Sequence, residues 1–166
     1  MALIFIKIFI IIFLIMSLIS DFSAHATCTN TNNCGSDSGA GSGAVFPDIT
    51  SGDFNTAHGF HAVGMDITEG NANTVLGYES GKLIHTGDYN TAVGSDSLVV
   101  LTSGDKNTAI GYKSGSTNVD GSGNIFIGYE AGPTSGSVSN KLFIANSADD
   151  TPLIYGDFSN NTVTVN

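Results

Sequence analysis

Positive charge is the first thing this chain lacks. It contains no arginine and only five lysines against fifteen Asp and Glu, for a formal net charge of −10. Binding a phosphate backbone requires clustered Lys and Arg, so nucleic acid is excluded as a partner. The acidic surface favours solubility and leaves cations as candidate partners. Cysteine is nearly as scarce. Cys28 and Cys34 are the only two, in the stretch CTNTNNC, which is too few thiols for a metal centre but enough for one disulfide in an oxidising compartment. Helical periodicity is missing after residue 26, because glycine recurs too often and apolar residues alternate instead of falling at three-and-four spacing. Catalytic phrases are missing as well. There is no Gly-x-Ser-x-Gly elbow, no phosphate-cradling loop and no zinc-protease helix motif, so the chain reads as a non-enzyme that needs no cofactor.

What the chain does have is one short phrase repeated. Gly-x-x-Asn-Thr-Ala-(aliphatic)-Gly occurs in variants at residues 52–59 (GDFNTAHG), 70–77 (GNANTVLG), 87–94 (GDYNTAVG), 104–111 (GDKNTAIG) and 121–128 (GSGNIFIG). The anchors Asn55, Asn73, Asn90, Asn107 and Asn124 follow one another at intervals of 18, 17, 17 and 17 residues. A unit this small cannot bury its own apolar face, so each copy is one coil stacked on the next. The expectation is an all-β parallel β-solenoid of about five coils.

The remaining segments arrange themselves around that stack. Residues 1–26 read as a secretory signal peptide, with Lys7 near the start, an apolar core and small residues at Ala24 and Ala26 before cleavage. Left uncleaved, the same segment would be a membrane anchor. Residues 27–44 hold the Cys28–Cys34 loop and a Gly/Ser linker, residues 45–138 the repeats, and residues 139–166 a C-terminal β segment with strands expected at 141–146, 152–158 and 162–166. A secreted or cell-surface location follows from the leader. Asn160-Asn161-Thr162 is a glycosylation sequon in a eukaryotic export route.

Strand alternation sorts the repeat residues. Asn107, Ala109 and Gly111 share one face, and Thr108 and Ile110 share the other. Stacking then produces a mostly small column (Ala57, Val75, Ala92, Ala109, Phe126) and a larger aliphatic column (Leu76, Val93, Ile110, Ile127) headed by His58. Small residues suit the inside of a narrow coil. The aliphatic ridge needs an outer partner, and a second copy of the chain would supply one, making Leu76, Val93, Ile110 and Ile127 the expected oligomer interface. The five Asn residues are expected to form a structural ladder.

Three other columns invite chemistry. Asp53, Asp88 and Asp105, with Asn71 and Ser122 at equivalent positions, repeat carboxylates that could hold calcium, although Gly-Asp is also ordinary turn chemistry. His58 and His61, near Asp53 and Asp66, offer too few convergent ligands for zinc. Thr56, Thr74, Thr91 and Thr108 raise ice binding as a competing function.

The phrases NTAVG at 90–94 and NTAIG at 107–111, with the interrupted NTAHG and NTVLG, resemble the head repeats of trimeric autotransporter adhesins. The closing NKLFIANSADDTPLIYGDFSNNTVTVN is similar to a strand-rich piece of phage tail-fibre proteins. The resemblance implies a left-handed parallel β-roll, a homotrimer, and attachment to a host-surface protein or glycan. The period here is longer than that family's usual coil, which implies larger turns. The alternatives are a monomeric ice-binding or calcium-binding β-solenoid, or a fibre component.

Overall fold

The computed structural model describes residues 38–40, 52–62, 69–148 and 151–166. Among the described residues nine short strands make one sheet in strict chain order. They are β1 (Ser38–Ala40), β2 (Thr56–His58), β3 (Thr74–Leu76), β4 (Thr91–Val93), β5 (Thr108–Ile110), β6 (Ile125–Ile127), β7 (Lys141–Ile144), β8 (Ile154–Asp157) and β9 (Thr162–Val165). From β1 to β7 all neighbours are parallel, and β7–β8 and β8–β9 are antiparallel. No described residue is helical. The chain is therefore an all-β parallel solenoid of about five coils closed by an antiparallel hairpin.

Each coil returns to the same register. Thr74, Thr91 and Thr108 are direct partners, as are Val75, Ala92 and Ala109. Strand β1 lies inside the Gly/Ser stretch read as a linker and pairs in parallel with β2, Gly39 opposite Ala57. The parallel ladder also runs past residue 138, since Leu142, Phe143 and Ile144 partner Ile125, Phe126 and Ile127. Cys28 and Cys34 lie outside the described residues, as do the leader and Asp66.

Tight corners make so short a coil close. The residue before each Asn anchor is left-handed, at Phe54 (φ 64), Ala72 (φ 55), Tyr89 (φ 58) and Lys106 (φ 58). A second left-handed position follows each strand, at Glu79 (φ 49), Asp96 (φ 56), Lys113 (φ 53) and Glu130 (φ 52). Such a conformation costs a non-glycine residue roughly 1–2 kcal/mol. Interstrand-type bonds offset it at every coil: Tyr89 N–H donates to Asn71 O at 2.9 Å, and Asp96 N–H to Tyr78 O at 2.9 Å. Between the strand and the second corner the backbones nearly touch. A β-carbon on Gly77 (φ +139) would lie 2.5 Å from Gly94 O, so only glycine fits there.

The core is the inside of the coil. Ala57, Val75, Ala92, Ala109, Phe126 and Phe143 point inward from the strands, and Ile84, Leu98 and Leu101 fill the space from the opposite wall. The strand column is small from Ala57 to Ala109 and turns aromatic at Phe126 and Phe143. At the C-terminal end Phe126 packs on Phe143 (5.7 Å between ring centroids), and Phe143 meets Tyr155 edge-on at 5.3 Å, which seals the solenoid with the hairpin. Lys141 Nζ pairs with Asp157 Oδ2 at 2.8 Å across β7 and β8. Asp157 Oδ1 in turn accepts from Ser159 N–H at 2.9 Å and so fixes the β8–β9 turn.

Candidate interaction face

The strand residue that points inward decides what is left outside. Along β2 to β6 the middle residue is buried and both flanking residues keep solvent exposure, so Thr and aliphatic columns lie side by side on one outer face. Leu76 is 45% exposed, Ile110 44% and Ile127 37%, and Val93 is half-buried between them. The register carries this ridge further than the repeats do. Ile127 partners Ile144, Ile144 partners Ile154, and Ile154 partners Val165. The neighbouring column changes from Thr56, Thr74, Thr91 and Thr108 to Ile125, Leu142, Gly156 and Val163. Sequence reading stopped the ridge at Ile127, because the switch to antiparallel pairing conceals that β8 and β9 continue the same face.

The Asn anchors point the other way and are fully buried. Asn107 donates its backbone N–H and its Nδ2 to Asn90 Oδ1, both at 3.0 Å, and its Nδ2 also reaches Gly121 O at 2.9 Å. The same pattern joins Asn73 to Asn55, Asn90 to Asn73 and Asn124 to Asn107. Lys141 N–H then donates to Asn124 Oδ1 at 3.0 Å. One side chain thereby satisfies a strand entry, a neighbouring anchor and a corner carbonyl, all shielded from the surface. The amides have no outward atom with which to bind a ligand.

The acidic column is spent on the backbone as well. Asp88 Oδ1 accepts from Asn71 N–H at 2.7 Å, Asp105 Oδ1 accepts from Asp88 N–H at 2.9 Å, and Asn71 Oδ1 accepts from Asp53 N–H at 2.9 Å. Ser122 and Ser139 hydroxyls take the same role further along, for Asp105 and Ser122 N–H. This is turn chemistry running along the stack. Among the described residues no three His, Cys, Asp or Glu side chains gather as a metal would require. His58 ends its strand, and His61 sits at the next corner with Nδ1 3.7 Å from Glu79 Oε1.

Sequence reading passed over two further columns. Ser80, Ser97 and Ser114 are buried, and Ser97 Oγ lies 3.0 Å from Ser114 Oγ. Their seventeen-residue recurrence in the phrases ES, DS and KS was the available signal. Just past the glycine that ends each strand, Phe60, Tyr78, Tyr112 and Tyr129 form an exposed aromatic strip. Phe60 stacks on Tyr78 at 5.9 Å and Tyr112 on Tyr129 at 5.2 Å. Tyr78 carries its hydroxyl beside the Glu79 carboxylate, which pushes the phenol up, while hydrogen bonding to Lys82 holds the Glu79 carboxyl below its ordinary value.

Comparison of the chain with protein families, curated proteins and solved structures finds no match to any of them.

Proposed function

We propose that this chain is an exported, non-catalytic attachment module that assembles through its outer sheet face, as a homotrimer with the left-handed winding of an adhesin head. The observation that carries the reading is the in-register aliphatic ridge from Leu76 to Val165 across β3 to β9, exposed at Leu76, Ile110, Ile127 and Val165 and half-buried at Val93, Ile144 and Ile154. Contiguous apolar strips of this kind are rare on soluble monomers and mark association surfaces. Burying one Leu, Ile or Val stabilises by roughly 1.5–3 kcal/mol, so a ridge of several such residues supplies a driving force for assembly. Cyclic closure around the ridge is the usual outcome for identical chains.

A second reading rests on a different feature of the same face. Thr56 and Thr74 are exposed beside the ridge in a regular sheet, an array suited to ordering water on a monomer, as in ice binding. The mass of the purified protein by light scattering, with and without calcium, separates the readings. Three chains in both buffers supports the assembled module. A monomer overturns it and turns the work to ice recrystallisation, and a mass or melting point that moves with calcium would favour a metal-loaded solenoid.

A further inference from the structure

The aromatic strip has one missing rung. Backbone bonds stack positions 60, 78, 95, 112 and 129 coil upon coil: Glu79 N–H donates to Phe60 O, Asp96 N–H to Tyr78 O, Lys113 N–H to Ser95 O and Glu130 N–H to Tyr112 O. Four of these positions carry rings and the middle one carries Ser95. Tyr78 has one face against Phe60, with an interplanar angle of 8°, and Tyr112 has one face against Tyr129. The coil of Ser95 is the one that lies between them in the stack. Two coil steps of about 4.8 Å each separate them, so a ring inserted between would sit about 4.8 Å from each, somewhat closer than the 5.9 and 5.2 Å of the stacked pairs on either side. Tyr78 is 50% exposed and Tyr112 38%, so the gap opens to solvent.

The floor and rim of this gap are polar and balanced in charge. Ser95 Oγ donates to Asp96 Oδ2 at 3.0 Å. Glu79 pairs with Lys82 at 3.1 Å, and Lys113 Nζ lies over the Tyr112 ring, 5.2 Å from its centre, so that a ligand stacking on that ring displaces it to the rim. Two of the five lysines of an otherwise strongly acidic chain are thus placed here, Lys82 paired with Glu79 and Lys113 in the field of Glu130 and Asp96. A patch with donors and acceptors in balance favours a neutral ligand with hydroxyls over a cation or a polyanion.

The geometry points to a sugar-binding slot between Tyr78 and Tyr112 that takes a terminal pyranose with equatorial hydroxyls, of the β-glucose configuration. A ring held between two aromatic faces must present C–H groups on both of its own faces. An all-equatorial pyranose does so, whereas an axial hydroxyl, as in galactose, would be pressed unpaired against a ring face. The equatorial hydroxyls then lie at the edge, within range of Asp96, Ser95 and Lys113. This inference rests on the attachment reading and names the class of surface recognised, a glucan-type glycan end.

The test is a titration of the purified protein with methyl β-glucopyranoside and cellotriose, with methyl β-galactopyranoside as control, followed through the Tyr78 and Tyr112 ring signals by NMR. Saturable shifts with the glucosides, binding of the galactoside weaker by about tenfold or more, and loss of binding in Ser95→Tyr with unchanged mass and melting point are the expected results. Tyr78→Ala supplies a second variant should Ser95→Tyr fold poorly, and it also loses the shifts at Tyr112. Absence of saturation with cellotriose, equal binding of the galactoside, or undiminished binding in both variants overturns the slot. Mass by light scattering keeps the two ideas apart: a monomer that binds glucoside sinks only the assembly, and a trimer that ignores it sinks only the slot.

Discussion

Leu98 occupies the space that a side chain on Gly115 would need. A β-carbon on Gly115 would stand 2.7 Å from Leu98 Cδ2 and 2.7 Å from Phe126 Cδ2. Leu98 itself is left-handed (φ 49), at a position where the adjacent coils carry Gly81 (φ 59) and Gly115 (φ 63). One coil accepts a strained leucine whose side chain fills the space beside Gly115, while Ile84 and Val75 fill the space beside Gly81. Replacing Leu98 with Ala is expected to cost about 2–5 kcal/mol through the cavity left behind. Gly115→Ala is expected to cost about 1–3 kcal/mol by overpacking. Combined, they should cost less than the sum, because the new methyl enters the space that Leu98 vacates. Urea unfolding of the four proteins measures this, and strict additivity would show that the two sites do not share a space.

The amide ladder predicts a graded loss. Asn107→Ala removes the acceptor of both Asn124 N–H and Asn124 Nδ2, and one of the two donors to Gly121 O, which Asn118 Nδ2 still reaches. A buried group left without a partner, here Asn124 N–H, costs about 1–3 kcal/mol, so this variant should be less stable than Asp88→Ala, whose lost bonds from Asn71 N–H and Asn71 Nδ2 are only partly buried. Equal melting points for the two variants would remove the ladder from the account of stability.

Strand faces separate folding from assembly. Ala92→Asp places a charge in the closed core and should abolish the fold. Val93→Asp with Ile110→Asp alters only outward positions and should leave circular dichroism intact; if the chain assembles through the ridge as proposed, the variant should be monomeric, since assembly would bury unpaired carboxylates. Native mass in the double variant would mean that the chain associates through some other surface.

The Lys141–Asp157 pair sets a pH window. Hydrogen bonding to Lys141 holds the Asp157 carboxyl below its ordinary value, and hydrogen bonding to Asp157 holds the Lys141 ammonium above its own. A depressed carboxyl contributes stability above its unfolded value of about 3.9 and loses it as pH falls through the lower folded value. A raised ammonium contributes below about 10.4 and loses it as pH climbs through the higher folded value. The contribution is therefore flat across neutral pH. Asp157→Asn should lower the denaturation midpoint at pH 7, and the gap to the parent should close toward pH 2. A gap that persists in acid would assign the effect to the turn bonds of Asp157 instead.

The chain's own residues set the period, the face of every strand residue and the all-β architecture, because a fixed repeat leaves each coil only one way to register on the next. Asn90, Thr91, Ala92 and Gly94 each recur one coil away, and alternation then assigns inside and outside. Other features depend on the tertiary structure. The left-handed corners are filled by residues as different as Phe54, Ala72, Tyr89 and Lys106, so no residue type marks them; only bonds to the adjacent coil make that conformation stable. Leu98 stands among glycines for a reason visible only where three coils meet. The ridge reaches Val165 because β8 and β9 turn antiparallel yet keep the same face, and the gap over Ser95 is defined by rings on the coils to either side. Local alternation was legible because it depends on neighbours along the chain, and these features were not because they depend on neighbours across the stack.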